Sequence, residues 1–499
     1  MDWGSGITYF GSTTLKGSKV SFGIKDRDRT EHFFVMGKAE SGRMALLARM
    51  ALQDIGRGVG TVILDATGNL GQLILERLDQ SMDGRVVFLD PSDGEFPFSW
   101  NPLEDFRALA KEKGIPLLSH ALAQVYRFPV SNLSDTLARK LFTNSSSTII
   151  DVYELVTDEK FRKQYFDDDA EKIRFEEMLG REKESADLIA EHGRYIARDT
   201  LIRNVVGQQK SKFSLGVLKE DGIVIVDLSR IKMFPTRATP LVRLFMHAAH
   251  AHATESKKPA SVFLHDCLRY LSEKDIEYLF PDRTLAVTVS DTIYQEEDRK
   301  IREQAIARSA SIISFLPHHL DLPLAERMFY PYVHSDELLK FEENEFAVAL
   351  SIDTVRSRPF FAKVLPLMER RGTSHQDLIG MSRGRFTTPR AKVDLLFKKN
   401  IQDEDRTKEK KEERGSFSDT FRSIFAKRAA DQPVSDAKKS PDSTAQKPAP
   451  ASLPAPRPVS DAEGKKTAAT PTSQGVAGSP QEIKEEDLRQ MLYVDEGPS

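Results

Sequence analysis

Apolar residues along this chain follow two rhythms. Short, almost unbroken apolar runs recur at 32–36, 61–64, 86–89, 222–226, 261–264, 285–289 and 312–316. These have the length and density of strands buried on both faces. Between several of them the spacing turns helical. Leu46, Leu47, Met50 and Ala51 mark a helix over 45–55, an amphipathic stretch runs on to Leu78, and another helix is predicted over 240–253. Strands alternating with helices in this way predict an α/β fold with a mostly parallel, doubly wound sheet. Runs at 7–10 and 20–24 lead into it, and 346–352 with 358–365 read as a closing hairpin around 353–356.

The alternation stops at about residue 105 and resumes at about 201. Strand signals vanish in between, and charged helical patterns such as 158–180 and 181–198 replace them. The prediction is one α/β core built from 1–104 and 201–400, interrupted by an all-helical insertion over 105–200. The charge runs of that insertion read as solvated helix faces. After residue 400 the composition shifts again, with ten of the 25 prolines lying beyond residue 430. A tail over 401–499 of this Pro/Ala/Ser-rich kind buries too little apolar surface to fold alone. Near its end, 481–494 reads as a short amphipathic helix with Ile483, Leu488, Met491 and Leu492 on one side. It fits a frayed end and a tethered docking peptide equally well.

Composition narrows the picture modestly. With 499 residues, 39% hydrophobic and 29% charged, the chain is large enough for a sizeable core and ordinary for soluble protein. A net charge of -3 gives no whole-chain signature of nucleic-acid binding and leaves room for a local basic face. Cys267 is the single cysteine, so no intrachain disulfide forms. Neither a signal peptide nor a transmembrane run is visible, which points to the cytoplasm, with membrane association borrowed from a partner at its inner face.

The stretch with chemistry is 31–65, which reads strand, loop, helix, strand. Its loop, Gly37, Lys38, Ala39, Glu40, Ser41, Gly42, Arg43, Met44, has the two glycines of a phosphate-binding P-loop at the right spacing. Such a loop curls backbone N–H groups around phosphates at a helix N-terminus. The pattern then requires Lys and Ser or Thr, where this chain has Arg43 and Met44. A guanidinium is a planar fork rather than a point ammonium. A thioether is a poor ligand for Mg²⁺, a hard cation that the missing hydroxyl would bind. Glu40 adds a carboxylate beside the phosphate position. The scaffold of a nucleotide site is present with its chemistry altered.

Longer stretches now carry a resemblance. ITYFGSTT, FFVMGKAESGRMALLARMALQDI, VVFLDPSD followed by FSWNPLE, LIRNVVGQQKSKFSLGVLKEDGIVIVDLSR and RSRPFFAKVLPL resemble, in order over about 7–400, the FtsK/HerA-type P-loop ATPases of type IV secretory conjugative DNA transfer. The resemblance implies a RecA-like core with a helical insertion, ATP and Mg²⁺ as ligands, and ATP-driven movement of DNA by a ring, usually a hexamer. It also implies where the chain departs. The family's Gly-Lys-Thr-Gly-Thr-Gly-Lys-Ser/Thr loop stands here as GKAESGRM, so Lys38 matches the first lysine and not the catalytic one. The Walker B Asp-Glu positions hold His265 and Asp266, and the His-Gln sensor positions hold Ser290 and Asp291. Phosphoryl transfer rests on positioning and charge neutralisation by these parts together. Their joint change implies a degenerate, non-hydrolysing homologue working in a ring of its own kind or with an active homologue. The alternative is a divergent ATPase that still translocates DNA, with Arg43 in place of Lys.

Other residues have blander readings beside their functional ones. His247 and His250 share a helix face with spacing for a metal, and His252 follows, yet histidines on a packed helix are commoner and no second ligand cluster is near. Asp65 ends a strand and reads as a turn carboxylate rather than a Walker B acid. Arg358, with Arg356, is placed for a trans-acting arginine finger, against a strand-end ion pair. Arg203, Lys210 and Lys212 form a local basic cluster that suits either DNA phosphates or a solvated loop.

Overall fold

The apolar runs form strands because little else satisfies so many consecutive buried backbone groups at once. The structure, a computed structural model, describes residues 6–397 except 167, 257–258, 282, 292–297, 370–373 and 396. The expected tail over 401–499 and its helix over 481–494 lie outside the described residues. The strands are β1 (Ile7–Leu15), β2 (Ser18–Lys25), β3 (Phe33–Met36), β4 (Gly60–Asp65), β5 (Val86–Leu89), β6 (Ile223–Asp227), β7 (Ala260–His265), β8 (Leu285–Asp291), β9 (Ser311–Ser314), β10 (Glu345–Ala349), β11 (Ser351–Ile352), β12 (Val355–Arg356) and β13 (Phe360–Val364).

Eleven of them make one sheet in the order β2-β1-β13-β10-β9-β3-β8-β7-β4-β6-β5. From β9 to β5 every pairing is parallel, whereas β10, β13, β1 and β2 add an antiparallel edge. All residues of β3, β4 and β7 are buried, as strands covered on both faces require. The expected hairpin is present as β10 and β13, with β11 and β12 forming a separate small ladder at its tip.

One face of the sheet carries the helix Arg43–Gly56, whose Leu46, Leu47, Met50 and Ala51 pack with Phe33, Val35 and Ile63. The other face carries the helix Pro235–Glu255, buried along its length from Ala238 to Ala253. Such all-round burial marks an interior helix. It starts five residues before the predicted boundary at Pro240. Pro235 takes the first turn, where its missing N–H costs nothing, and Pro240 is tolerated one turn later. Against it lie helices from Pro102–Arg107 to Thr200–Val206, and among the described residues 105–200 hold no strand. Trp100 stacks on Phe245 at 4.2 Å and fixes this layer to the interior helix.

The carboxyl ends of the central strands finish at one level. Met36 aligns with Asp291, Ser290 with His265, and His265 with Asp65. β3 feeds its helix toward β4 on one side, and β8 returns through the helix Arg299–Arg308 to β9 on the other. The chain therefore switches direction beside β3, where open α/β sheets leave a crevice.

Candidate nucleotide site

The loop 37–44 sits at that crevice and enters the helix Arg43–Gly56. Gly37 (φ 151°) and Gly42 (φ 108°) have backbone angles that side chains rarely adopt. A Cβ on Gly37 would stand 2.7 Å from Phe315 Cβ, and one on Gly42 would stand 2.8 Å from Asn344 Cα. Neighbours also hold the loop. The Lys38 N–H donates to Leu316 O (2.9 Å), the Ser41 hydroxyl to Lys38 O (2.8 Å), and the Asn344 N–H to Ser41 O (2.9 Å). Among the described residues, the N–H groups of Ala39 to Met44 meet no acceptor. The backbone thus keeps the form of an anion cradle. Lys38, Ala39 and Glu40 are exposed, which puts the Glu40 carboxylate on the rim.

The side chains change what the cradle offers. Arg43 is buried, and its Nη1 donates to Ser290 Oγ at 2.8 Å and to Asp266 Oδ1 at 3.2 Å. One guanidinium therefore joins the P-loop helix to the ends of β7 and β8. It holds the carboxylate and hydroxyl that would otherwise face an incoming metal or phosphate. Met44 packs against the core beneath the helix and supplies no oxygen. Asp266 is set by an unusual backbone (φ 52°), with its own N–H donating to Ser290 O at 2.8 Å.

Burial governs the remaining charges. His265 is buried, and desolvation pushes its imidazole below the ordinary range against a smaller opposing pull from Asp266. It is neutral at pH 7, and its Nδ1 meets no partner among the described residues. Asp291 is pushed well above the carboxylate range, first by burial and then by Asp266, while Arg43 and Arg302 oppose the shift. Burial likewise raises the Cys267 thiol, which is inert behind Leu64 O at 3.3 Å. With the Asp266 carboxylate already held by Arg43 and no hydroxyl at Met44, the residues present do not fit Mg²⁺.

Other expected site residues sit elsewhere. Asp65 accepts from the Thr67 N–H, the Thr67 hydroxyl and the Gly71 N–H, as a turn carboxylate should. Arg356 donates to Ser309 O and Ala310 O, and the Arg358 guanidinium lies 5.6 Å from the Tyr332 ring centre. Asn344 joins the start of β10 to the end of β13, while Arg358 precedes β13, so this arginine is at the far end of the hairpin from its own loop. His247 bonds Asp275 (2.9 Å) and His252 bonds Asp105 (2.9 Å), while His250 packs edge-on to Tyr278. Among the described residues no group of three metal-ligating side chains forms. Arg203 lies over Phe397, Lys210 is 3.7 Å from Glu104, and Lys212 donates to Thr387 O, so these three serve separate structural contacts. Asn344 escaped the sequence, since nothing local in its stretch marks it as a neighbour of the loop. No helix among the described residues is long and apolar enough to cross a membrane.

No protein-family model matches this sequence, and no curated protein does. Solved structures do. The unbound bacterial conjugative coupling protein TrwBdeltaN70 aligns with a TM-score of 0.50 and 13% identity, covering 72% of this chain and 89% of its own. The plasmid coupling protein TrwB with the GTP analogue GDPNP aligns at 0.51 and 13%, covering 74% and 97%. The same protein with the ATP analogue ADPNP aligns at 0.50 and 14%, again over 74% and 97%. The α/β sheet with its P-loop crevice is therefore the RecA-like fold of the conjugative coupling protein TrwB.

Proposed function

We propose that this chain is a non-hydrolysing relative of the coupling ATPases, an assembly or regulatory component of a DNA-transfer or secretion machine. The observation that carries the reading is the Arg43 bridge to Asp266 and Ser290. It places a fixed positive charge where the coupling ATPases, by the resemblance, place a metal and a lysine. The cost of assembling a charged site is thereby met inside the chain. Nucleotide binding is weak and independent of Mg²⁺. The fold likeness to TrwB, a coupling protein seen with nucleotide analogues, supports placing this chain beside such machines, in a ring of its own copies or mixed with an active homologue.

Steady-state phosphate release, measured with and without DNA, tests it. The wild-type chain is expected to stay at background. Arg43→Lys with Met44→Thr should tighten nucleotide binding yet leave turnover at background, because His265 and Asp266 still lack the metal-holding and water-polarising pair. Activity returns only after His265→Asp and Asp266→Glu are added, and Ser290–Asp291 limits it even then. DNA-stimulated turnover by the wild type would overturn the reading in favour of a divergent translocase.

A further inference from the structure

The loop that leaves β6 turns apolar side chains into water instead of hiding them. Met233 is 74% exposed and Phe234 50%, at its tip just before the helix Pro235–Glu255. The tip is held in place. Buried Leu228 and Ile231 anchor it, and the Ile231 N–H donates to Leu228 O (3.0 Å). The Phe234 N–H donates to Ile231 O (2.9 Å), and the Tyr270 hydroxyl donates to Lys232 O (2.8 Å). Cations surround it. Arg230 and Lys232 are exposed on the same loop, Arg269 on the short turn Leu268–Tyr270, and Arg194 and Arg198 at the end of the helix Lys183–Arg198. An ion pair between Arg237 and Asp199 (2.7 Å) ties that helix end to the loop. Acids are scarce here. The stretches 192–198, 228–237 and 267–272 contain none, and Glu191 is the last exposed carboxylate of the helix Lys183–Arg198. Arg237 takes Asp199, and Arg230 lies 3.7 Å from Asp90. Arg194, Arg198, Lys232 and Arg269 meet no carboxylate among the described residues.

We infer that this surface docks on an anionic lipid bilayer, with Met233 and Phe234 entering the headgroup region and the four unpaired cations meeting lipid phosphates. An apolar tip ringed by Lys and Arg suits interfacial anchoring, in which apolar burial and attraction to anionic lipid add. The rings favour lipid over nucleic acid, because base stacking needs open ring faces. The Arg237 guanidinium lies 4.8 Å from the Phe234 ring centre. The Arg194 guanidinium lies 5.7 Å from that of Tyr195, itself 46% exposed. Each ring thus has a face occupied by a cation of its own chain, and a phosphate backbone laid on these cations would leave Met233 in water. At a bilayer interface the same pairs fit, with rings toward the acyl chains and guanidinium groups toward phosphate. No described helix is long and apolar enough to cross a membrane, so this contact lies on the bilayer surface. It gives the chain a membrane affinity of its own, independent of any partner and of turnover at the P-loop.

Vesicle flotation of the full chain tests this, with vesicles of phosphatidylcholine alone and of phosphatidylcholine mixed with phosphatidylglycerol. The chain should float with the anionic vesicles and not with the neutral ones, and salt should release it. Arg198→Gln with Lys232→Gln removes two of the cations and should weaken binding about 30-fold. Met233→Ser with Phe234→Ser leaves every charge in place and should weaken it about tenfold. All four positions are exposed, and thermal melts matching the wild type verify the fold of each variant. Phe234→Trp reports insertion directly, through a blue shift of its emission on anionic vesicles. Failure to float with anionic vesicles overturns the inference, as does equal flotation with neutral ones or the absence of the blue shift. Flotation that survives both double variants also overturns it, since the contact is then elsewhere on the chain. A DNA oligonucleotide that binds the wild type and loses affinity in the Gln variant, without vesicle binding, makes nucleic acid the occupant instead.

Discussion

Arg43 holds a carboxylate and a hydroxyl from two strands with one side chain, and removing it breaks both bonds. Arg43→Ala is expected to cost about 1–3 kcal/mol, because the buried Ser290 hydroxyl loses its charged donor and Asp266 loses its bond to Arg43. Arg43→Lys should cost less, since an ammonium keeps the charge and gives up the fork. Urea midpoints of the two variants, compared at constant slope, check the ordering. Asp291 gives a second expectation. Its folded-state pKa is raised, so its protonated form belongs to the native state. Stability from this group is fully present below the ordinary carboxylate range and is lost as pH rises through the raised value. Asp291→Asn should therefore flatten the fall in stability above about pH 4 and leave the protein more stable at neutral pH. Thermal melts at pH 4 to 8 decide it, and a variant less stable than wild type at pH 7 would refute the burial argument. The sequence showed the loop spacing and the loss of Lys and Thr. It did not show that Arg43 reaches Asp266 and Ser290, more than two hundred residues away, because that bond depends on the alignment of three strand ends.

At the scale of elements, the edges of the sheet show how the chain guards an open backbone. β5 is the last parallel strand, and the helix His375–Phe386 covers it. The Ser382 hydroxyl donates to Phe88 O at 2.9 Å and accepts from the Phe88 N–H at 2.7 Å. A single side chain thus stands in for a neighbouring strand at the point most open to one. Ser382→Val should cost about 1–3 kcal/mol by leaving both Phe88 groups unpaired. It should also raise light scattering on mild heating, as the uncovered edge pairs between molecules; a monomeric, unaffected melt would count against the clamp. This helix was not legible in the sequence, for its apolar residues do not keep a helical stripe, and Leu378, Ser382 and Phe386 are its buried positions. The interior helix Pro235–Glu255 was legible in kind and misplaced at its start, since two prolines offered two beginnings. Its histidines, whose spacing suited a metal, bond Asp275 and Asp105 from the helices packed against it.

At the scale of the molecule, the parallel core was readable because strands buried on both faces leave dense apolar runs. The strand order was not, since β3, early in the chain, is inserted between β8 and β9, and only tertiary packing decides that. The order has a temporal side. β1 pairs with β2 at once, yet its other edge waits for β13, where Gly11 meets Val364 and Ser12 meets Lys363. A ribosome adding about 5–20 residues per second reaches β13 roughly 20–70 s after β1. For that interval the emerging hairpin presents an unfilled edge. The cell must shield it or make the chain quickly, and slowing synthesis ahead of residue 360 should lower the yield of folded protein more than the same delay placed after residue 365.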